Sequence, residues 1–262
     1  MPRFCANLTM LFNELPFMER FSAAASSGFK GVEYLFPYAF AKQDLREALR
    51  ANGLVQVLHN LPAGDWGAGE RGIACLPGRV DEFREGVASA VAYAQALDCR
   101  LINCLAGIAP VSLDPLEAQA TFVSNIRYAA AMLDKAGIRL VIEPINTRDI
   151  PGFFLTRTRQ ALSLIAAVGS ANVGVQYDIY HMQVMEGDIA RTLESHLKQI
   201  WHVQLADNPG RNEPGTGEIN YPWLYQWLDG LGYQGWVGCE YKPKTTTEAG
   251  LGWFREATKQ PA

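Results

Sequence analysis

The feature that most constrains the fold is a regular alternation of short apolar runs with longer amphipathic segments. The runs have the length and composition of buried strands, and each is followed by a segment whose apolar residues have helical spacing. Eight runs are predicted as strands: Arg3–Asn7, Gly31–Tyr34, Leu54–His59, Leu101–Leu105, Arg139–Glu143, Val173–Asp178, Ile200–Leu205 and Trp236–Glu240. Alternating strands and helices form a parallel sheet, and eight strands close a barrel. The predicted fold class is therefore α/β, a (β/α)₈ barrel.

The amphipathic segments predict the helices that would cover this barrel. They are Phe17–Ser27, Gln43–Asn52, Asp81–Leu97, Pro115–Ala136, Thr156–Val168, Asp188–Lys198, Pro222–Leu231 and Thr247–Ala257. Asp114 followed by Pro115 is typical of a helix N-terminus, and Thr156 is predicted to begin another helix.

The structural alternative is an open, doubly wound parallel sheet. That fold normally places a glycine-rich phosphate loop after its first strand, whereas this chain runs from Asn7 to Phe12 without a glycine. No internal repeat, low-complexity tract or interdomain linker is visible. We therefore expect residues 1–262 to form one barrel domain, since such a domain typically has about 250 residues.

Composition and charge argue against several classes of partner. The net charge is −4, which gives no broad basic surface for nucleic acid or for an anionic membrane. No apolar run reaches the roughly 18 residues that a membrane span needs, and no signal peptide is recognisable at the N-terminus. The five cysteines form no CxxC pair, so we expect a cytoplasmic protein without a disulfide framework. The oligomeric state stays open, a homo-oligomer included.

One predicted connection, at about residues 60–80, is unusually long. A loop of that length in a compact domain is functional or disordered in most cases. It follows the third strand, and the loops after the strands of a barrel cover the catalytic face. Its glycines, with Trp66 and Arg71, suit a lid over a substrate. A mobile surface insertion is the alternative.

The last four predicted strands end in a set of oxygen-bearing side chains: Glu143, Asp178, Gln204 and Glu240. The C-terminal ends of barrel strands meet at one mouth, so three carboxylates would repel one another there and resist ionisation. A divalent cation removes that conflict. Oxygen ligands favour Mg²⁺, with Mn²⁺ as the alternative, over Zn²⁺.

Four motifs stand out: Glu143-Pro-Ile-Asn146, Asp178-Ile-Tyr-His181, the end of the eighth strand and Gly215-Thr-Gly217-Glu-Ile-Asn220. They resemble those of the xylose-isomerase-like barrels. The segments 59–72, 177–182 and 239–243 further resemble the hydroxypyruvate isomerase branch, and this resemblance extends over nearly the whole chain. These motifs do not separate that branch from a close sister group that isomerises 2-oxo-tetronate.

The resemblance implies a metal-dependent aldose–ketose type isomerase. In it, Glu143, Asp178, Gln204 and Glu240 would bind the metal, and Glu143 and Glu240 would also act as acid and base. The substrate would be a small hydroxy-oxo acid, hydroxypyruvate, converted through an enediolate to 2-hydroxy-3-oxopropanoate (tartronate semialdehyde). Many members of the wider superfamily have histidine at the position of Gln204. That difference argues against their zinc and manganese chemistry and agrees with an oxygen-only ligand set.

A substrate that carries a carboxylate needs a cation, and a guanidinium can bind it through two parallel hydrogen bonds. The candidates are Arg71, then Lys242 and Arg211. Two histidines near strand ends, His59 and His181, could reach substrate oxygens. Predicted supporting residues around these groups are Asn146, Asp149 and His202. For each of these side chains a purely structural role or a solvated surface charge is the alternative.

Three other functions remain open at this point. The chain could isomerise 2-oxo-tetronate, or it could epimerise neutral ketoses at C-3 on the same scaffold. A DNA endonuclease specific for abasic sites belongs to a different class, but such enzymes bind several zinc ions through many histidines, and only four histidines occur here. A metal-binding protein without catalytic activity is the last alternative.

Overall fold

The computed structural model describes residues 2–259 and contains a closed parallel barrel. Its strands are β1 (Arg3–Asn7), β2 (Gly31–Glu33), β3 (Val55–Asn60), β4 (Leu101–Cys104), β5 (Arg139–Ile142), β6 (Val173–Asp178), β7 (Ile200–Leu205) and β8 (Trp236–Cys239). Each strand pairs with the next in chain order, and β1 pairs with β8 to close the sheet. The predicted (β/α)₈ barrel is therefore confirmed, and the open sheet is excluded.

Helices surround the strands. They are α1 (Arg20–Ser26), α2 (Lys42–Ala51), α3 (Val80–Leu97), α4 (Pro115–Lys135), α5 (Thr158–Val168), α6 (Ile179–Met185), α7 (Ile189–His196), α8 (Tyr221–Gly230), α9 (Thr247–Gly250) and α10 (Gly252–Thr258). Short 3₁₀ turns, Phe17–Glu19 and Pro77–Arg79, precede α1 and α3. None of the helices in the described part of the chain has the length and apolar character needed to cross a membrane.

The predicted strands agree with the observed ones to within one residue at each end. The agreement follows from burial, because strands of a covered barrel read as continuous apolar runs. β6 is buried along its whole length, for example, and β1 is exposed only at Arg3. Glu143 and Glu240 each lie one residue beyond the end of their strand.

The helix predictions were wrong in three places. The prediction that a helix begins at Thr156 fails, because α5 begins at Thr158 and has Arg157, which makes no side-chain cap, before it. The predicted last helix is two short helices separated at Leu251. Helix α6 was not predicted, because its two turns follow β6 without a break and merge with the preceding apolar run. Asp114 does cap α4, accepting from the Leu116 N–H.

The long connection after β3 is an ordered loop packed against the barrel. Residues 61–76 contain no helix or strand, yet Leu61, Ile73 and Cys75 are buried. Gly72 has a φ of 107°, and a Cβ at that position would collide with the backbone carbonyl of Leu105. Only glycine fits such a backbone conformation and such a close approach. The loop is thus anchored at its C-terminal side, next to the end of β4.

Candidate active site

A pocket of about 450 Å³ lies at the C-terminal ends of the strands. Three of the four predicted metal ligands line it, namely Glu143, Gln204 and Glu240. Asp178 is fully buried and lies immediately behind the wall of the pocket. Asp178 and Gln204 are paired directly across β6 and β7. The strand ends therefore bring the four side chains together, as expected for a barrel.

The two carboxylate oxygens of Asp178 have different surroundings. Its Oδ1 accepts the backbone N–H groups of Tyr180 and His181, at 2.8 and 3.3 Å, and so caps α6. Its Oδ2 is buried and has no hydrogen-bond partner among residues 2–259. This oxygen lies 3.6 Å from His181 Nε2 and 3.9 Å from Arg211 Nη2, too far for a good hydrogen bond. A buried carboxylate oxygen without a partner is costly and suits a cation ligand.

Burial and mutual repulsion make the carboxylates of the site weak acids. Desolvation, reinforced by the charges of Glu240 and Asp178, raises the pKa of Glu143 well above its ordinary value. Desolvation also raises the pKa of Asp178 to about 6 and that of Glu240 to about 8, although Arg211 opposes both shifts. These carboxyl groups therefore repel one another when ionised, as the sequence predicts. Without a cation, the repulsion is lowered when the groups keep their protons.

Arg211 supplies positive charge at the same place. Its Nη2 donates to Glu240 Oε1 at 2.9 Å, and its Nη1 lies 3.4 Å from Asp149 Oδ2. The residue is in the β7–α8 connection with a φ of 54°, a left-handed conformation that is unusual for arginine. Its guanidinium also lies over the ring of Tyr180. Arg211 therefore contacts the carboxylates directly, in the pocket where the sequence analysis expected a substrate cation.

The orientation of the Gln204 amide follows from its neighbours. Its Nε2 donates to Glu240 Oε2 at 2.5 Å and to Glu33 Oε1 at 2.7 Å. Its Oε1 accepts from Gln176 Nε2 at 2.6 Å. Turning the amide over would place its oxygen against two carboxylates, so this assignment is determined by charge. The oxygen retains a second lone pair with which it could bind a cation.

A hydrogen-bond chain determines the tautomer of His181, which lines the pocket. Asn146 Oδ1 accepts the Asp149 N–H at 2.7 Å, so Asn146 Nδ2 is the atom that faces His181 Nδ1, at 2.6 Å. His181 Nδ1 is then the acceptor and Nε2 carries the proton. Burial and the Arg211 charge lower the pKa of His181 well below its ordinary value. His181 is thus a neutral donor next to Asp178, and Asn146 and Asp149 orient it.

The lid residues predicted from the sequence also reach the pocket. Arg71 and Trp66 both line it, with the Arg71 guanidinium stacked 4.1 Å from the centre of the Trp66 ring. Arg71 Nη1 donates to the backbone oxygens of Glu70 and Trp66. Lys242 lines the opposite side, beyond Glu240, and is exposed. Two cations therefore face the pocket in addition to Arg211.

Two of the predicted histidines lie outside the pocket lining. His59 is fully buried, with Nδ1 3.2 Å from the Asn60 carbonyl oxygen and 3.5 Å from the Tyr38 hydroxyl. Burial lowers its pKa to about 4. His202 is also fully buried and pairs through Nε2 with Glu33 Oε2 at 2.6 Å. The structure thus brings His181, but neither His59 nor His202, to the pocket.

The sequence analysis missed several polar side chains that contact the site. Asn103 Nδ2 donates to Glu143 Oε2 at 2.8 Å, and Asn7 Nδ2 lies 3.3 Å from Glu240 Oε2. Gln176 and Glu33 contact Gln204. A signal was present, because each is a polar residue inside or at the end of a predicted apolar strand. The predicted metal ligands were taken only from residues at or near the ends of the last four strands.

Glu33 is a fully buried carboxylate in β2. Burial by itself would raise its pKa, but the charge and hydrogen bond of His202, together with hydrogen bonds from Gln204 and Asn7, bring the pKa below the ordinary value. Glu33 is therefore an ionised group, in contrast to the carboxylates that face the pocket. The pKa of Glu33 is low because the groups that contact its oxygens donate hydrogen bonds to the ionised form.

The residues present fit a divalent cation. Glu143, Asp178 and His181 each offer a ligand atom, and these atoms lie within 4.8 Å of one another. The unpartnered Asp178 Oδ2 and the raised pKa values of Glu143 and Glu240 also favour a cation at this place. For His181 the ligand atom is a ring nitrogen, which could bind a cation only in the other tautomer, because Nε2 carries a proton in the one described above.

Comparison with known proteins identifies the family of the chain. The family model described as Xylose isomerase-like TIM barrel matches residues 21–257. The hydroxypyruvate isomerase of Escherichia coli (strain K12) is 58% identical over 254 residues, which are 97% of this chain and 98% of that protein. The 2-oxo-tetronate isomerase of Cupriavidus necator is 48% identical over 255 residues, 97% of this chain and 98% of that protein.

A crystal structure from Brucella melitensis, described as an AP endonuclease of family 2, is also similar. It has a TM-score of 0.96 and 49% sequence identity, and the match covers 98% of this chain and 99% of that one. The fold, the site and the relatives together resolve the family. The chain belongs to the hydroxypyruvate isomerase family of xylose isomerase-like TIM barrels and is an isomerase.

Proposed function

We propose that the chain is a metal-dependent aldose–ketose isomerase that interconverts hydroxypyruvate and 2-hydroxy-3-oxopropanoate. The observation that carries the proposal is the pair of glutamates, Glu143 and Glu240, that face one pocket with strongly raised pKa values. Carboxyl groups tuned in this way are suited to give and take protons near neutral pH. The name of the Escherichia coli relative supports the choice of substrate.

The metal would be held by Glu143, Asp178, Gln204 and Glu240, with Mg²⁺ favoured and Mn²⁺ as the alternative. When bound, it would polarise the substrate carbonyl and stabilise negative charge on oxygen. His181, whose Nε2 carries a proton and lies 3.6 Å from Asp178 Oδ2, can serve as a donor to substrate.

The chain's own residues supply the proton transfers. One glutamate takes the proton from the carbon that bears the hydroxyl group, which leaves an enediolate. The other returns a proton to the former carbonyl carbon, while the hydroxyl proton passes to the oxygen of that carbon. Asn103 holds Glu143 Oε2, and Asn7 and Gln204 hold Glu240 Oε2, so the orientation of both carboxyl groups is restricted. The other oxygen of Glu240, Oε1, faces Arg211.

The substrate carboxylate needs a positive partner, and Arg71 is our first candidate. Its guanidinium is positioned by Trp66 and by two backbone oxygens, and one edge remains for a planar anion. Lys242 and Arg211 lie within the same pocket. Because Arg211 is already bonded to Glu240, we assign it mainly to the carboxylates of the protein.

Isomerisation of 2-oxo-tetronate is the second candidate, and the name of the Cupriavidus necator relative supports it. A pocket of about 450 Å³ has room for an acid with one more carbon. C-3 epimerisation of neutral ketoses would leave the pocket cations without a carboxylate partner. Cleavage of DNA at abasic sites fits poorly with a net charge of −4 and with a carboxylate-lined pocket.

The deciding experiment compares turnover of hydroxypyruvate, 2-oxo-tetronate and a ketohexose by the purified protein supplied with Mg²⁺ or Mn²⁺. We expect the highest kcat/KM on hydroxypyruvate and loss of turnover with a chelator. A preference for the ketohexose would refute an acid substrate. Cleavage of abasic DNA, or no turnover of either acid, would refute the proposal as a whole.

The cellular compartment is part of the same proposal. All five cysteines are buried and free, a state that suits the reducing cytoplasm. We accordingly propose a cytoplasmic enzyme, and fractionation of cells that express the protein would test this.

A further inference from the structure

Glu33 lies below the pocket and has no part in the proton transfers described above. It belongs to β2 and is fully buried. Strand β8, which lies on the other side of β1 from β2, leaves space for it, since a Cβ at Gly238 would collide with the Glu33 carboxylate. A glycine at this position in the wall of the barrel thus makes room for a buried negative charge.

The two oxygens of Glu33 face different partners. Oε2 is held by His202 Nε2 at 2.6 Å and by the Cys5 thiol at 3.4 Å. These contacts anchor the carboxylate from the side away from the pocket. Oε1 is directed toward the pocket and accepts from Asn7 Nδ2 at 3.1 Å and from Gln204 Nε2 at 2.7 Å.

The same two nitrogens also donate to Glu240. Asn7 Nδ2 lies 3.3 Å, and Gln204 Nε2 2.5 Å, from Glu240 Oε2. An amide nitrogen carries two hydrogens, so each of these groups can bridge Glu33 Oε1 and Glu240 Oε2. With both amides in this orientation, Glu240 Oε1 is the oxygen left to face Arg211 at 2.9 Å.

We propose that Glu33, anchored by His202, is a positioning residue that acts through Asn7 and Gln204 to orient the carboxylate of Glu240 and the carbonyl oxygen of Gln204. Removal of the Glu33 carboxylate removes one of the two acceptors that both amides share, so that Asn7 and Gln204 are held less firmly, by Glu240 and, for Gln204, by Gln176. The consequence for catalysis rests on the proposed function, because it assumes that Glu240 transfers a proton and that Gln204 binds the metal.

The test is Glu33→Gln, which keeps the size of the side chain and removes one acceptor oxygen. We expect kcat, and the Mn²⁺ affinity measured by calorimetry, each to fall by about 10–100-fold, as is typical when a residue that orients a metal ligand is changed. KM should change much less than kcat. The matched control is Glu213→Gln, a buried glutamate that accepts the Lys244 N–H outside the pocket, and it should keep both kcat and affinity.

Two further measurements keep the inference testable. A crystal structure of metal-free Glu33→Gln should show Glu240 turned away from Asn7 and Gln204. An unchanged Glu240, or an equal loss of melting temperature in both variants with kcat intact, would overturn the positioning role. If Glu33→Gln does not fold, Glu33→Asp keeps the charge on a side chain one methylene shorter and should show the same loss of kcat.

These outcomes separate the inference from the proposed function. A wild-type protein that isomerises neither acid would refute the proposed function alone. The orientation of Glu240 in the crystal structure of the variant would still decide whether Glu33 positions it.

Discussion

The guanidinium of Arg211 and the carboxylate of Glu240 form an ion pair at the mouth of the barrel, with Nη2 and Oε1 separated by 2.9 Å. Their side chains are only 16% and 13% exposed, so water screens the pair weakly. Arg211 opposes the effect of burial on the pKa of Glu240. The pair therefore controls how readily Glu240 holds a proton.

Replacement of Arg211 by glutamine should make Glu240 a weaker acid. Loss of a neighbouring positive charge raises the pKa of a carboxyl group by about one unit or more, so Glu240 should titrate above its present pKa of about 8. Carbon NMR of the glutamate carboxyl groups in metal-free protein would measure the shift. Arg191→Gln, at an exposed position, is the control, and equal titration curves for both variants would contradict the assignment.

The variants Glu143→Gln and Glu240→Gln should each lower kcat by roughly 10²–10⁴-fold, the contribution of positioned proton transfer. In metal-free protein at pH 8 they should also raise the melting temperature, because each removes a charge that its neighbours repel. Steady-state kinetics and thermal unfolding at the same pH measure the two effects. Full activity in either variant would exclude that glutamate from proton transfer.

The variant Arg71→Ala tests the carboxylate anchor. We expect KM for the acid substrates to rise by about tenfold, which corresponds to about 1.4 kcal/mol of binding energy, with a smaller change in kcat. Arg191→Ala again provides a distant arginine for comparison. An unchanged KM would assign the substrate carboxylate to Lys242 or to another group.

Metal binding should stabilise the protein more at pH 8 than at pH 6. In the metal-free state the folded protein binds protons on Glu143, Asp178 and Glu240 more tightly than the unfolded chain does. Its stability therefore falls as the pH rises from about 4.5 towards 8. Mg²⁺ or Mn²⁺ binds only the deprotonated carboxylates, so the increase in melting temperature should grow over the same range. A pH-independent increase would argue against these ligands.

Because His59 is buried, we expect the free energy of unfolding to fall in acid. Its folded pKa of about 4 is below the unfolded value of about 6.5, so the unfolded chain takes up a proton first. The resulting stability is present above pH 6.5 and is lost as the pH falls to about 4, by up to about 3 kcal/mol. Urea titrations should show a shallower dependence on pH in His59→Gln. If the pH dependence of stability is the same in wild type and variant, the pKa of His59 is not lowered in the folded protein.

The amino-acid sequence by itself determined the barrel and the strand ends that face its mouth. Both depend on local patterns: an apolar run predicts a buried strand, and parallel strands in a closed sheet all end on one side. For this reason Glu143, Asp178, Gln204 and Glu240 could be expected near one another from their positions in their own strands. Arg71 reached the pocket for a similar reason, since its loop follows a strand.

The tertiary structure alone decided which partner each polar group has. Glu33 and His202 are 169 residues apart in the chain, and no local pattern links β2 to β7. The contact of Arg211 with Glu240 depends on a left-handed residue in the β7–α8 connection. His59 is the next-to-last residue of β3, yet its ring is buried outside the pocket lining. Side-chain direction and long-range proximity arise only when the barrel closes, because closure brings distant strands into contact.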